Sequence, residues 1–192
     1  LAEARPRAEA FLAELVKGLS DNPPGDCAVH AARAAALLEA MGFTVERHVV
    51  PEATVKSVGM VSATNLVVRH RFGSGPVIAL NAHGDVVPPG EGWTQDPYGA
   101  AIVDGWMYGR GAAVSKSDFS TYAFALLALK ECGAPVGGAV ELHLTYDEES
   151  GGEIGPAWLL AEGISKPDYA IRAGLSYAVI EDHNGCLHLE IT

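Results

Sequence analysis

Two apolar-rich segments limit the folds that this sequence can adopt. One is GPVIALNAH (residues 75–83), a continuous apolar run that is bounded by turn residues, and the other is GAVELHLTY (residues 138–146). Strands that are buried on both faces show such continuous apolar runs instead of an alternating pattern. We therefore expect both segments to be buried strands of one sheet. The segment PDYAIRAG (residues 167–174) predicts a third central strand.

Helical patterns lie before and between these strands. Apolar residues recur at helical spacing in four segments. The predicted helices span residues 2–19, 26–43, 119–133 and 154–163. Residues 43–50 and 64–70 alternate between apolar and polar, as half-buried strands do. Strands that alternate with helices predict a layered α/β domain whose central sheet is mostly parallel and flanked by helices.

The charge of the chain argues against several kinds of partner. Its 192 residues include 24 Asp and Glu against 13 Lys and Arg, with a formal net charge of -11. This balance offers no electrostatic attraction to nucleic acid or to an anionic membrane surface, whereas metal ions are better tolerated. No window holds the roughly 18 apolar residues of a membrane span, and no signal peptide is apparent. We expect a cytoplasmic protein whose three scattered cysteines are reduced.

Candidate ligand groups follow both buried segments. The first ends in HGD, with His83 and Asp85, and the second is followed by Asp147, Glu148 and Glu149. In α/β sheets, sites form beyond the carboxyl ends of the strands, so these groups are expected to meet. A metal-binding His usually donates its second N–H to a carboxylate that orients it. Three consecutive carboxylates repel one another. This repulsion is relieved when a cation binds among them, or when one of them stays protonated as a general acid or base.

Each of these pieces alone also fits an ordinary structural role. A His-x-Asp pair is common in surface turns, and an acidic run before glycines commonly forms a solvated loop. His143 is expected to be a satisfied histidine of the core or of a sheet face. The remaining histidines considered are expected on polar faces: His30, His48 and His70.

Three motifs, in this order, resemble one family of zinc hydrolases. They are NAHGDVVPPGEGW (81–93), DPYGAAIVDGWMYGRGA (96–112) and TYDEESGGEIGP (145–156). They are similar to acetylornithine deacetylases, succinyl-diaminopimelate desuccinylases, carboxypeptidase G and aminoacylases, from about residue 60 to residue 172. The resemblance implies a zinc-exopeptidase-like α/β catalytic domain with two zinc ions. It also implies a smaller inserted domain that covers the active site and often forms a homodimer.

The same resemblance implies a role for each residue that follows the buried segments. His83 would bind one zinc ion, Asp85 would orient His83, Glu149 would be a metal ligand and Glu148 the general base. Zinc, or cobalt or manganese in its place, lowers the pKa of a bound water molecule. Glu148 would take the proton of that water, and the hydroxide would attack an amide carbonyl. The implied substrates are N-acyl amino acids or small peptides.

The motif GRGAAVSKSD (109–118) departs from the pattern of that family. There the turn reads Gly-Arg-Gly-Ala-x-Asp-x-Lys-Gly and its Asp bridges two zinc ions, but here Val114 takes that place. Lys116 matches the family's lysine, and the next acid is Asp118. If a helix has begun by Val114, Asp118 lies one turn further on, about 5 to 6 Å along the axis, and is a candidate metal ligand. Alternatively, Asp118 only caps the helix.

A second departure follows the third predicted strand. The resemblance places a metal-binding acid there, but Ala173 or Gly174 occupies the position. The nearest replacements are Glu181, Asp182 and His183, and that stretch matches the link to the inserted domain. We therefore expect residues 1–182 to form the first half of the catalytic domain. Residues 183–192 are expected to form the link and the first strand of the inserted domain, with the remainder of that domain absent.

Three functions stay open at this point. The chain belongs to a metal-dependent amide hydrolase with a rearranged site, to a hydrolase that uses one zinc ion, or to a metal-depleted relative that binds amino-acid-like ligands. Glu148 favours hydrolysis, because binding alone needs no general base. Val114 and Gly174 favour the relative, because each lost carboxylate weakens the binding of divalent metals. The isolated 192 residues are expected to be inactive or nearly so.

Overall fold

The computed structural model describes residues 4–133, 135, 137–172 and 174 of the chain. The helices of this part are α1 (Arg5–Val16), α2 (Ala28–Ala40), α3 (Glu52–Ser57), α4 (Lys116–Glu131) and α5 (Pro156–Ala161). Its strands are β1 (Val45–Val49), β2 (Thr64–Arg71), β3 (Val77–His83), β4 (Ala101–Val103), β5 (Trp106–Tyr108), β6 (Ala139–Thr145) and β7 (Tyr169–Arg172). A single 3-10 turn, Glu148–Ser150, follows β6 closely.

Five of these strands form one sheet in the order β1-β2-β6-β3-β7. β2 pairs antiparallel with β1 and with β6, whereas β3 is parallel to both β6 and β7. His83 at the end of β3 lies opposite Thr145 at the end of β6, so these two strands end side by side. β4 and β5 form a separate antiparallel hairpin.

The core lies where α2 and α4 pack against the sheet. All seven residues of β6 are buried, including the polar Glu141, His143 and Thr145. α2 faces the core with small side chains, Ala31, Ala34 and Ala35, that allow a close approach to the sheet. α1 packs across α4, where the rings of Phe11 and Phe124 meet edge to face with centroids 5.9 Å apart.

The structure confirms the α/β fold with helices flanking a central sheet, and it places both apolar-rich segments inside that sheet. The prediction that residues 167–174 form a central strand is wrong for the described residues. β7 lies at the edge of the sheet and all four of its residues are exposed. Three of them, Tyr169, Ala170 and Ile171, are apolar, so the composition of β7 mimics that of a buried strand.

Several sequence predictions fall on other parts of the chain. The link and strand predicted for residues 183–192, the boundary at residue 182, and the acids and histidine at Glu181, Asp182 and His183 lie outside the described residues. Within the described residues, every helix is too short or too polar to span a lipid bilayer.

Candidate metal centre and active site

The site is formed where β3 and β6 end. β3 finishes at His83, and the chain turns at Gly84 toward Asp85. β6 finishes at Thr145, and the turn that carries Glu148 and Glu149 follows after two residues. Because these strands are parallel neighbours in register, both loops leave the same edge of the sheet. The structure therefore brings His83 and Asp85 close to Glu148 and Glu149, as expected.

Three side chains at this edge can hold a metal ion together. One ligand atom from each of His83, Glu148 and Glu149 lies within 4.8 Å of the other two. Nε2 of His83 is 3.8 Å from Oε2 of Glu148. The imidazole is buried, whereas the two carboxylates lie progressively nearer to solvent. One imidazole and two carboxylates are a donor set that suits zinc and similar divalent ions.

Asp85 fixes the orientation of the His83 ring. Nδ1 of His83 lies 2.9 Å from the backbone carbonyl oxygen of Asp85 and 3.4 Å from its Oδ1. A carbonyl oxygen can only accept a hydrogen bond, so Nδ1 is the donor. The lone pair of the neutral ring is then on Nε2, which faces Glu148. This is the tautomer that a metal ligand needs.

The carboxylate of Asp85 is also a centre of hydrogen bonding. It is completely buried, and it accepts the backbone amides of Glu148 at 3.3 Å and Glu149 at 3.2 Å. The side-chain amide of Asn22 donates to its Oδ2 at 3.1 Å. Burial raises the pKa of Asp85, but the hydrogen bonds from His83 and Asn22 outweigh burial and lower that pKa overall. Asp85 therefore stays ionised and connects both loops.

The remaining pKa shifts show an excess of negative charge at the site. Burial lowers the pKa of His83, yet its hydrogen bond and charge interaction with Asp85, and the charge of Glu148, raise that pKa overall. Burial raises the pKa of Glu149, and the nearby negative charges of Asp85 and Glu148 raise it further. A bound cation would offset both effects, since it favours ionised carboxylates and an unprotonated ligand nitrogen.

Asp147 shapes the turn and stays outside the group of three. It is fully buried and has a left-handed backbone conformation with φ of 96°. Its carboxylate accepts the backbone amides of Gly152, at 2.9 Å, and of Ile154. The first acid of the sequence motif thus holds the loop in shape, while the next two acids point their carboxylates toward His83.

Two other histidines are buried for structural reasons. His143 on β6 lies 2.9 Å from a carboxylate oxygen of Glu141, in agreement with the expected sheet-face role. The prediction that His30 belongs to a polar face is wrong. His30 is 1% exposed, and its ring nitrogens contact the hydroxyl of Tyr146 and the carbonyl oxygen of Leu15.

The segment that carries this site also matches a known family. The family model described as Peptidase family M20/M25/M40 matches residues 79–185, which is more than half of the chain. The chain belongs to this peptidase family. The matched range contains all of β6, β3 from residue 79 onward, and all three side chains of the ligand group.

One curated relative resembles the chain in sequence, and solved structures resemble it in fold. A succinyl-diaminopimelate desuccinylase of Gluconacetobacter diazotrophicus is 39% identical over 103 residues, which are 51% of this chain and 26% of that protein. Human carnosine dipeptidase 1 superposes with a TM-score of 0.71 at 22% identity, over 90% of this chain and 39% of that chain. A dinuclear metal-binding M20 peptidase of Bacillus subtilis gives 0.57 at 18% identity, over 85% and 41%. The chain thus spans about a quarter of the length of that desuccinylase.

The M20 chain described here differs from the expected pattern at the start of α4. The helix begins at Lys116, so Val114 lies in the preceding turn, 38% exposed, and the assumption that the helix had begun by Val114 does not hold. Asp118 lies in the first helical turn and is half-buried. Burial raises its pKa, while a hydrogen bond with Ser115 and the charge of His83 oppose that rise. Asp118 is not in the group of three ligands.

The end of β7 supplies a cation near the site. Arg172 forms an ion pair with Oε1 of Glu148. Gly174, one of the two positions where the resemblance expected an acid, brings no side chain to the site, and Ala173 lies outside the described residues. At this strand end the described chain therefore presents a guanidinium group near Glu148.

Sequence reasoning missed both Arg172 and Asn22. Arg172 directly precedes Ala173, where an acid was expected. The missing acid was the feature of the sequence that could have directed attention to this charged neighbour. Asn22 lies 63 residues before Asp85, in a loop rich in proline and glycine. No local periodicity connects the two residues, and only the folded structure brings them together.

Proposed function

We propose that the whole protein is a metal-dependent hydrolase of amide bonds in N-acyl amino acids or small peptides. Zinc is the proposed ion, and cobalt or manganese can take its place. The observation that carries the proposal is the convergence of His83, Glu148 and Glu149 on one point while Asp85 holds Nδ1 of the imidazole. Membership of the M20 family, and relatives named as a desuccinylase and a dipeptidase, support it.

Each residue of the site has a role in this proposal. His83 and Glu149 hold the ion, and Glu148, whose Oε2 borders the same space, accepts the proton of the attacking water. A bound divalent ion supplies Lewis acidity and lowers the pKa of water. Asp85 keeps the Nε2 lone pair of His83 directed at the site. Asp118 is proposed as a further ligand, because its half-buried carboxyl lies close enough to His83 for their charges to interact.

A metal-depleted relative that only binds amino-acid-like ligands is the second candidate. Val114 and Gly174 favour it, because they stand where two acidic ligands were expected. The geometry of Glu148 favours the hydrolase, because a carboxylate beside the ligand group serves water activation and has no evident use in binding alone. His83 and Glu149 need only one more ligand group to hold one ion, so the hydrolase proposal includes a site with a single zinc ion as well as one with two.

The test is metal-dependent release of free amine from N-succinyl amino acids, N-acetyl amino acids and dipeptides. The whole protein is assayed with zinc, cobalt or manganese, beside Glu148→Gln and, as a control on the surface of the same domain, Glu162→Gln. We expect Glu148→Gln to lower turnover at least about a hundredfold, as for loss of a general base, and Glu162→Gln to leave it unchanged. The 192-residue chain alone is expected to be nearly inactive. Binding of these compounds without any turnover by the whole protein would favour the second candidate.

A further inference from the structure

A segment that precedes the family match reaches the site. Residues 18–22, which we call the N-terminal strap, connect α1 to the loop before α2 and lie outside residues 79–185. The strap runs alongside the loop that carries Asp85. Ser20 Oγ donates to the carbonyl of Gly84 at 2.6 Å, and the amide of Val86 donates to the carbonyl of Ser20 at 3.0 Å. Asn22 in turn donates its amide to the carbonyl of Val86 at 2.8 Å.

The side chain of Asn22 connects the two loops of the site. Its Nδ2 donates to Oδ2 of Asp85 at 3.1 Å and to Oγ of Ser150 at 2.8 Å. Asn22 is only 5% exposed, and its bond to Asp85 is buried, whereas the bond to Ser150 is partly buried. Asp85 belongs to the loop after β3, and Ser150 belongs to the turn after β6. One amide group thus joins the residue that orients His83 to the turn that carries the two glutamates.

The strap is also attached to the helix that carries Asp118. Lys116, the first residue of α4, is completely buried and its Nζ donates to the carbonyl of Gly18 at 3.0 Å. Every described piece of chain that carries a proposed catalytic or metal-binding residue therefore contacts the strap. Such convergence of buried bonds on a segment of five residues exceeds what connecting two helices requires.

We propose that Asn22 is a positioning residue of the site, which fixes the His83 ring and the turn of Glu148 and Glu149 relative to each other by holding Asp85 and Ser150. This inference rests on the proposed function only for its consequence, metal binding. Without Asn22, Oδ2 of Asp85 keeps only the amide of Glu149, and the carboxylate gains freedom to rotate. Outer partners of metal ligands act in this way, by orienting the groups that bind the ion.

The first experiment uses the metal-free chain. Long-range ¹⁵N–¹H spectra of the histidine rings, recorded well above the ordinary histidine pKa of about 6.5, report which ring nitrogen carries the proton. The His83 signals are assigned with His83→Gln. We expect Nδ1–H in the wild type, and a mixture of tautomers in Asn22→Asp, which keeps the volume of the side chain but replaces the amide donor with a carboxylate that repels Asp85. Ser165→Ala is the matched control, because Ser165 is a buried donor to another carboxylate, that of Glu141, at 2.6 Å.

The second experiment is a titration of the same variants with Co²⁺ alone. We expect Asn22→Asp to lower the affinity about tenfold, and Ser165→Ala to stay within about twofold of the wild type. If Asn22→Asp does not fold, Ser150→Ala replaces it, since Ser150 is exposed and its change removes only the bond to Asn22 and a weaker one to Asp147. For Ser150→Ala we expect faster hydrogen exchange at the amide of Glu149 and a smaller loss of Co²⁺ affinity.

The outcomes separate this inference from the proposed function. Wild-type His83 signals and unchanged Co²⁺ affinity in the Asn22 variant would overturn the positioning role and leave the hydrolase proposal intact. If Asn22→Asp does not fold, unchanged amide exchange in Ser150→Ala would overturn the role in the same way. Failure of the wild type to bind Co²⁺ would count against the hydrolase, while the ring spectra would still decide the role of Asn22.

Discussion

The guanidinium of Arg172 and the imidazole of His83 face opposite oxygens of one carboxylate, that of Glu148. Oε1 of Glu148 pairs with Arg172, and Oε2 lies 3.8 Å from Nε2 of His83. The proposed general base is thus held between a fixed cation and the point where a metal ion would bind. Because the Arg172 side chain is 54% exposed, the ion pair contributes little to the stability of the fold. Its main effect is on the charge of Glu148 at the proposed metal site.

Replacing this cation should strengthen metal binding. In Arg172→Met the positive charge that competes with a divalent ion for Glu148 is gone. An exposed charge pair is worth up to about 1 kcal/mol, so we expect Co²⁺ affinity to rise by up to about fivefold in calorimetric titrations at low salt. Arg71→Met is the control, since the one side-chain hydrogen bond of Arg71 to the described residues goes to the carbonyl of Gly73, away from the site. Weaker binding in Arg172→Met would show that Arg172 supports the site by arranging Glu148.

Asp118→Asn tests whether α4 contributes a ligand. The change keeps the size of the side chain and removes its charge, so a true ligand should lose about tenfold or more in Co²⁺ affinity. Glu149→Gln serves as the positive reference, and Asp104→Asn, in the exposed turn of the β4–β5 hairpin, as the negative one. Metal content by elemental analysis checks the number of ions in each variant. Unchanged binding in Asp118→Asn, with a loss in Glu149→Gln, would restrict Asp118 to stabilising the start of α4.

Gly84→Ala should damage the site because there is no space for a side chain. An added Cβ would lie 2.6 Å from Cε1 of Tyr146 and 3.1 Å from Cε2 of Phe119. Both rings are completely buried, so the loop between His83 and Asp85 has to shift. We expect the free energy of unfolding to fall by about 1–3 kcal/mol in denaturant titrations, and Co²⁺ affinity to fall as well.

The matched control for this change is Gly137→Ala. A Cβ at Gly137 meets no atom of the described residues within 4 Å, and its φ is not in the left-handed region. We expect its stability and its affinity for Co²⁺ to equal those of the wild type. Wild-type affinity in Gly84→Ala would mean that the loop absorbs the methyl group without moving His83 or Asp85.

His30 should make stability depend on pH. Burial, and then the charge of Lys116, lower its pKa to about 3, whereas an unfolded histidine titrates near about 6.5. Between these values the unfolded chain binds a proton that the folded chain does not. Stability is therefore fully present above about pH 6.5 and falls as the pH drops toward 3, by at most about 1.4 kcal/mol per pH unit for this group.

Urea titrations across this pH range check the expectation. His30→Gln should be less stable at neutral pH, because it loses the contacts with Tyr146 and Leu15, and its stability should fall less steeply with acidification. His48→Gln, at a half-exposed position on β1, is the control and should follow the wild type. Equal slopes in His30→Gln and the wild type would contradict the assigned shift.

The parts of the fold that follow local rules could be predicted. The two apolar-rich segments form β3 and β6. Their parallel pairing brings His83 and Asp85, and the acids that follow β6, to one edge of the sheet. The prediction for His30 was wrong because it followed the polarity of the side chain. On α2, His30 is buried together with Ala31, Ala34 and Leu38, and its two ring nitrogens are satisfied by Tyr146 and Leu15.

Other features depend on contacts between distant parts of the chain. Asn22 meets Ser150 across 128 residues, and no spacing rule connects them. β7 is exposed because it is the last strand in the order of the sheet. The amino-acid composition of a strand does not predict its position in that order. The position of Asp118 relative to Val114 depended on where α4 begins, and helix starts are uncertain by one or two residues even in known structures.

The outer edge of β7 affects how the purified chain will behave in solution. Among the described residues no strand pairs with that edge, and Tyr169 and Ile171 beside it are 65% and 54% exposed. Such edges recruit strands from other molecules. A net charge of -11 opposes this at low ionic strength, but salt screens the repulsion. The solubility of the isolated chain should therefore fall with added salt, and charged substitutions at these two positions are the most direct way to keep concentrated samples monomeric.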